Sequence, residues 1–183
     1  RLNHIYYDCS IFDVTFLKQI LTQITWDVEV HFLDSSIFYP EYNGSYDEVG
    51  PAHIFALNIE GEGFRMRQCF KEGKIDFDGY DSCFEKLCAE ESESCIFHVA
   101  ILRFMMGSEQ YIPYLRTHDL TSYLHGCKDI CAMVEKLLKK ECLGQSNLNR
   151  LIFMEMDLET RTQLMELKNK MFKSSSTYSF EDF

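Results

Sequence analysis

The stretch "WDVEVHFLDSSIFYPEYNGSYDEVGP", residues 26–51, decides how the first half of the chain is read. Its opening "WDVEVHFL" alternates with period two: Trp26, Val28, Val30 and Phe32 point one way, and Asp27, Glu29 and His31 point the other. Successive side chains of a strand face opposite sides of its sheet, so this pattern predicts a half-buried strand. The rest, Asp34 to Pro51, is rich in turn residues and aromatics and too long for a tight hairpin. It is expected to be an irregular loop in which Ile37, Phe38, Tyr39, Tyr42 and Tyr46 alternate with carboxylates.

On the N-terminal side of this strand, "DVTFLKQILTQI" places Phe16, Leu17, Ile20, Leu21 and Ile24 at helical spacing, with Asp13 in position to cap. On the C-terminal side, "HIFALNIEGEGFRMRQCF" shows two alternating runs joined at Gly61 to Gly63, which predicts a β-hairpin. One arm would point Phe55, Leu57 and Ile59 to a common face, and the other Phe64, Met66 and Phe70. A short strand through Ile75 and Phe77 is expected to follow.

From Ser82 the apolar period becomes 3.6. Ser82 and Glu85 have capping-box spacing, and "CIFHVAILRFMM" reads as a buried helix ending at Gly107. Further helical pieces are "TSYLH", "ICAMVEKLLKKEC", "LNRLIFMEM" and "LETRTQLMELKNKMF", with stops at Gly126 and Gly144 and a cap at Asp157. The expected fold class is therefore α+β: an N-terminal helix on a mostly antiparallel sheet, then a C-terminal helical half. Residues 1–172 are read as one domain, β-rich over 1–80 and helical over 81–172. Residues 173–183 are read as a flexible acidic and aromatic tail, within which Tyr178, Phe180 and Phe183 could form a short binding motif.

Of 183 residues, 46% are hydrophobic and 26% charged, a globular composition. No apolar run approaches the roughly 20 residues needed to span a bilayer, so no membrane role is expected. The eight cysteines are too sparse and too scattered for a disulfide scaffold and read as buried thiols of an intracellular protein, cytoplasmic or nuclear. A glycosylation triplet at Asn43 to Ser45 keeps a secreted, disulfide-bonded binding protein as the alternative.

Net charge is −11 and unevenly spread. Residues 1–80 hold 13 acids against 6 Lys and Arg, and no Lys or Arg lies between Lys18 and Arg65. Such a surface repels phosphate backbones, so direct nucleic-acid binding is not expected and a basic protein partner is.

Candidate sites for chemistry are few. His118, His125, Cys127 and Cys131 offer zinc-ligand atom types, but Cys127, Ile130, Cys131, Val134, Leu137 and Leu138 form one apolar helical stripe, which favours packing over metal binding. Asp34, Asp76, Asp78 and Asp119 could converge as in a metal-dependent nuclease, although acids at strand ends usually mark turns and caps. Cys95 and His98 share a helical face inside an apolar run that would raise the thiol pKa. No phosphate-cradling glycine loop or hydrolase motif is present. No catalytic, cofactor-binding or metal-binding residue is assigned from sequence. The expectation is a non-catalytic protein-interaction module or complex subunit, binding a basic partner through Asp34, Phe38, Tyr39, Glu41, Tyr42, Tyr46, Asp47 and Glu48.

Overall fold

The computed structural model describes residues 3–8, 14–49, 54–125, 127, 129–155 and 157–172; the side chains of 46–49 and 54–57 lie outside that description. The expected cap Asp13, the break at Gly126 and the tail 173–183 also fall outside it. The fold is an α+β mixture with a helical C-terminal half. The chain divides into two compact units, Arg1–Glu109 and Gln110–Phe183, so the change of period near Ser82 lies inside the first unit.

In the first unit, β1 (His4–Tyr6) runs parallel to β2 (Val28–His31), and β2 pairs antiparallel with β3 (Ser36–Tyr39). The alternation predicted for "WDVEVHFL" holds: Val28 and Val30 are buried, while Glu29 and His31 stay half-exposed on the opposite face. Between β1 and β2 lies α1 (Thr15–Leu21), which buries Leu17 and Leu21, with Ile24 just beyond its end. Phe16 and Ile20, read as part of the same apolar stripe, are 70% and 40% exposed instead. A seven-residue helix has room to bury only one narrow face.

The segment 34–51 is not one irregular loop. It contains β3 and then β4 (Asn43–Val49), which pairs antiparallel with β5 (Ile54–Glu60). This overturns the hairpin read into residues 53–70, because β5 pairs backwards with β4 and the would-be second arm is a short helix, α2 (Gly63–Met66). Gly63 shows the cause. Its α-carbon presses on the 40–41 backbone so closely that a β-carbon would fall on the Pro40 carbonyl and 2.6 Å from the Glu41 carbonyl oxygen.

Phe70–Lys71 (β6) and Lys74–Ile75 (β7) form a tight hairpin turned at Glu72 and Gly73, both with positive φ. The strand stops before Phe77, which opens α3 (Phe77–Ser82); Asp76 caps that helix by accepting from the Gly79 amide at 3.1 Å. Ser82 is therefore no cap: it ends α3, its hydroxyl donating to the Gly79 carbonyl at 2.7 Å, and α4 (Phe84–Glu90) follows after Cys83. Ser92 caps α5 (Glu93–Met105), whose run Ile96 to Phe104 is almost wholly buried and which closes before Gly107, φ +102°. Within α5, Arg103 is buried but fully employed. Its guanidinium grips the Asp81 carboxylate at 2.7 and 2.9 Å and lies 4.1 Å from the Phe77 ring centre.

After a 3₁₀ turn at Glu109–Tyr111, the second unit consists of α6 (Ile112–Thr117), α7 (Thr121–Leu124), α8 (Ile130–Lys139), α9 (Gln145–Met154) and α10 (Leu158–Met171). The stripe expected on α8 is buried at Ile130, Val134, Leu137 and Leu138, with Cys131 at its margin. Asp157 caps α10 as expected, accepting from the Thr160 amide at 2.7 Å. Among the described residues no helix is long and apolar enough to cross a membrane.

Candidate functional site

Two polar constellations stand out, both within the first unit. The larger is an acidic groove of about 810 Å³. One wall is the β3–β4 connection with Glu41, Tyr42 and Asn43; another is the end of β5 and the turn into α2, with Ile59, Glu60, Gly61, Glu62, Phe64 and Arg65; α4 supplies Lys86 and Glu90, and Glu91 follows at its C-terminal end.

Local chemistry fixes these walls. The Glu41 amide donates to Asp27 Oδ1 at 2.7 Å and the Tyr42 amide to the Thr25 carbonyl at 2.8 Å, which pins the connection beside β2. Arg67, fully buried, donates to the Pro40 carbonyl, to Gly63 O at 2.9 Å and to Trp26 O at 2.7 Å. Without a carboxylate partner among these bonds, its guanidinium ties three backbone segments together, and burial pushes its pKa down to about 10. It also lies 5.2 Å from the centre of the Tyr42 ring, which meets Phe64 edge to face at 5.3 Å.

The charge of the groove is not balanced from within. Arg65 Nη1 and Lys86 Nζ both pair with the buried Glu62, at 3.3 and 3.6 Å. Among the described residues no cation pairs with Glu41, Glu60, Glu90 or Glu91. The Glu91 carboxyl is consequently held above its ordinary range, first by partial burial and then by the neighbouring charges of Asp27, Glu41 and Glu90.

The residues expected from sequence to form a binding surface are only partly brought together. Glu41 and Tyr42 line the groove. Asp34 is exposed in the β2–β3 turn, where it accepts from the Ser35 hydroxyl at 3.2 Å. Phe38 and Tyr39, expected as exposed anchors, are core residues of β3, at 7% and 0% exposure. The reason is that β3 is covered on both faces: the Phe38 ring stacks on His98 of α5 at 4.2 Å, and Tyr39, pointing the other way, meets Tyr80 of α3 edge to face. On β4, Tyr46, Asp47 and Glu48 stand opposite Leu57, Ala56 and Phe55 in register, their side chains outside the described residues. Sequence reasoning missed the opposite wall of the groove. Its signal was the acid-glycine alternation "EGEGF", read as a hairpin turn.

The smaller constellation gathers His4, Glu29 and His31, with His98 behind Glu29. Register explains it: β1 sets His4 beside Glu29 and Tyr6 beside His31, and β2 alternation keeps Glu29 and His31 on one face. His4 Nδ1 lies 3.0 Å from His31 Nε2, His31 Nδ1 lies 2.9 Å from the Ser36 hydroxyl, and His98 Nε2 lies 3.1 Å from Glu29 Oε2. Burial raises the Glu29 carboxyl pKa, but the His98 hydrogen bond and the charges of His98, His31 and His4 outweigh it, and the net shift is downward.

The other candidates do not assemble. His118 stacks on Tyr114 and bonds its carbonyl at 2.8 Å, His125 Nε2 donates to Met154 O at 3.1 Å, and the Cys127 thiol reaches Tyr123 O at 3.1 Å. Each has a backbone partner, the one of His125 lying 29 residues along the chain. Asp76 is a cap, and Asp119 lies in the second unit, bonded to Thr121 and Arg150. Cys95 has its thiol pushed up to about 12, by burial first and then by Glu91, Asp27 and Glu41, which disfavours the thiolate, and His98 is engaged with Glu29. Comparison with known proteins adds no relative: no family model, no curated protein and no solved structure matches the chain.

Proposed function

We propose that this chain is a non-catalytic interaction module, a subunit that receives a lysine- or arginine-bearing segment of a basic protein partner in the acidic groove of its first unit. The observation that carries the reading is the accumulation of Glu41, Glu60, Glu90 and Glu91 around one opening whose two cations are already committed to Glu62. A guanidinium or ammonium entering there meets carboxylates it can bond and the aromatic pair of Tyr42 and Phe64 it can lie against. Electrostatic complementarity of this kind sets partner choice and association rate more than raw affinity. An intracellular location is part of the same proposal; of the described cysteines Cys83 and Cys142 are buried, Cys69, Cys95, Cys127 and Cys131 half-buried and Cys88 exposed.

The test is binding of fluorescent Lys/Arg-rich peptides to the intact chain, followed by anisotropy, with Glu41→Lys, Glu60→Lys and Glu90→Lys variants. Each reversal is expected to weaken binding about tenfold, the triple variant more, with unchanged circular dichroism. Equal affinity for the wild type and the triple variant would remove the groove as the binding surface.

A further inference from the structure

We propose that His4, Glu29 and His31 form a binding site for one zinc-class divalent ion, with His98 as the residue that positions Glu29. Four observations lead there. First, one ligand atom from each of the three side chains lies within 4.8 Å of the others, the only such group among the described residues. Second, the spacing suits one ion. Two zinc–nitrogen bonds of about 2.0–2.1 Å at a tetrahedral angle put their nitrogens about 3.3 Å apart, and His4 Nδ1 and His31 Nε2 stand at 3.0 Å. The two rings stack with 21° between their planes and Glu29 Oε1 stands 3.5 Å from His31 Nδ1, so binding through His31 Nε2 requires the imidazoles and the carboxylate to turn towards the ion.

Third, the outer partners are those that orient metal ligands. The second nitrogen of His31 meets the Ser36 hydroxyl, which suits a tautomer with the proton on Nδ1 and a lone pair on Nε2 directed towards His4. His98 holds Oε2 of Glu29 at 3.1 Å, and its own ring is fixed against Phe38 at 4.2 Å. Fourth, the ligands come from rigid, paired strands, and His4 is exposed, which gives an ion a path in.

The donor set decides the metal class. Two imidazoles and one carboxylate select a late first-row ion over calcium or magnesium, which take all-oxygen shells. Three protein ligands leave a fourth tetrahedral position. A cavity of about 250 Å³ borders the site, lined by Asn3, Asp27 and Ser94 besides His4, Glu29 and His98, so water or a ligand group can fill it.

The experiment is titration of the intact, reduced chain with Co²⁺ and then Zn²⁺, read by visible absorption and calorimetry. One equivalent of Co²⁺ should bind with visible bands of a four-coordinate nitrogen–oxygen site and without thiolate charge-transfer absorption, and Zn²⁺ should displace it. His4→Ala, at an exposed position, and Glu29→Gln should each weaken Zn²⁺ binding by at least about 100-fold, and His98→Gln by about 10-fold. His118→Ala and His125→Ala should leave it unchanged. Thiolate absorption on cobalt, or a Zn²⁺ affinity indifferent to His4→Ala in a variant whose circular dichroism is unchanged, would overturn the site.

Discussion

Cys95 and His98 stand three residues apart on α5, and the structure separates their roles by what each one touches. The imidazole turns to Glu29, while the thiol faces Glu91, Asp27 and Glu41, none of which favours a thiolate. Its pKa of about 12 leaves only about one part in 10⁴ ionised at pH 8, against roughly a quarter for an unperturbed thiol. Iodoacetamide should therefore modify Cys95 about 10³-fold more slowly than a free thiol at pH 8, with the rate rising tenfold per pH unit up to about pH 11. Peptide mapping by mass spectrometry measures this, and alkylation as fast as that of the exposed Cys88 would contradict the burial assigned to it. The raised thiol pKa was legible in the sequence, because an apolar run around a cysteine disfavours its charged form whatever the fold. The imidazole's partner was not, since Glu29 is 69 residues away and only the docking of α5 on β3 brings them together.

At the scale of elements, the strand Val28–His31, the caps Asp157 and Gly107, and the buried run of α5 follow from local rules that no tertiary contact opposes. The failures share a cause. "FALNIE" and "FRMRQCF" each alternate, and nothing local states that the first would find its partner upstream in "NGSYDEV" rather than downstream. Once β4 pairs with β5, the residues after Gly61 are free of the ladder and coil into α2, because Gly63 lets that turn rest against the 40–41 backbone. Gly63→Ala is accordingly expected to destabilise the protein by about 3 kcal/mol, since the added methyl meets immovable carbonyls rather than flexible side chains. Urea denaturation measures the loss. Gly44→Ala, where a β-carbon would meet nothing within 4 Å, is the control and should cost far less. Equal stability of the two variants would refute the close approach of α2 to Pro40. The same coiling of α2 makes the groove, so half of its wall was invisible to a reading that ended the sheet in a hairpin.

The charge of the whole molecule divides along its two units. Arg1–Glu109 carries 19 Asp and Glu against 8 Lys and Arg, and Gln110–Phe183 carries 10 of each, so the entire net −11 belongs to the unit that holds the groove. Long-range attraction of a basic partner is thus a property of the first unit, and it is screened over about 10 Å at 0.1 M salt and about 3 Å at 1 M. Raising salt between those limits should slow association with a basic peptide by at least tenfold while changing dissociation much less. Protonation gives a second handle on the same contact. Glu91 is held above its ordinary pKa by burial and by Asp27, Glu41 and Glu90, with Lys86 on the same wall already paired to Glu62. A cation bound among these carboxylates lowers the Glu91 pKa, so binding releases protons as pH passes through the raised value, and affinity rises with pH until Glu91 is ionised in the free protein. Without a ligand the sign reverses for stability. A carboxyl with a raised folded-state pKa contributes most when protonated, below its unfolded value of 4.5, and that contribution is lost as pH rises through the folded value. Calorimetry at a series of pH values above the ordinary carboxylate value of 4.5, in two buffers of different ionisation enthalpy, separates the effects, and Glu91→Gln should abolish the proton release. Binding that releases no proton in the wild type would place the basic partner somewhere other than beside Glu91.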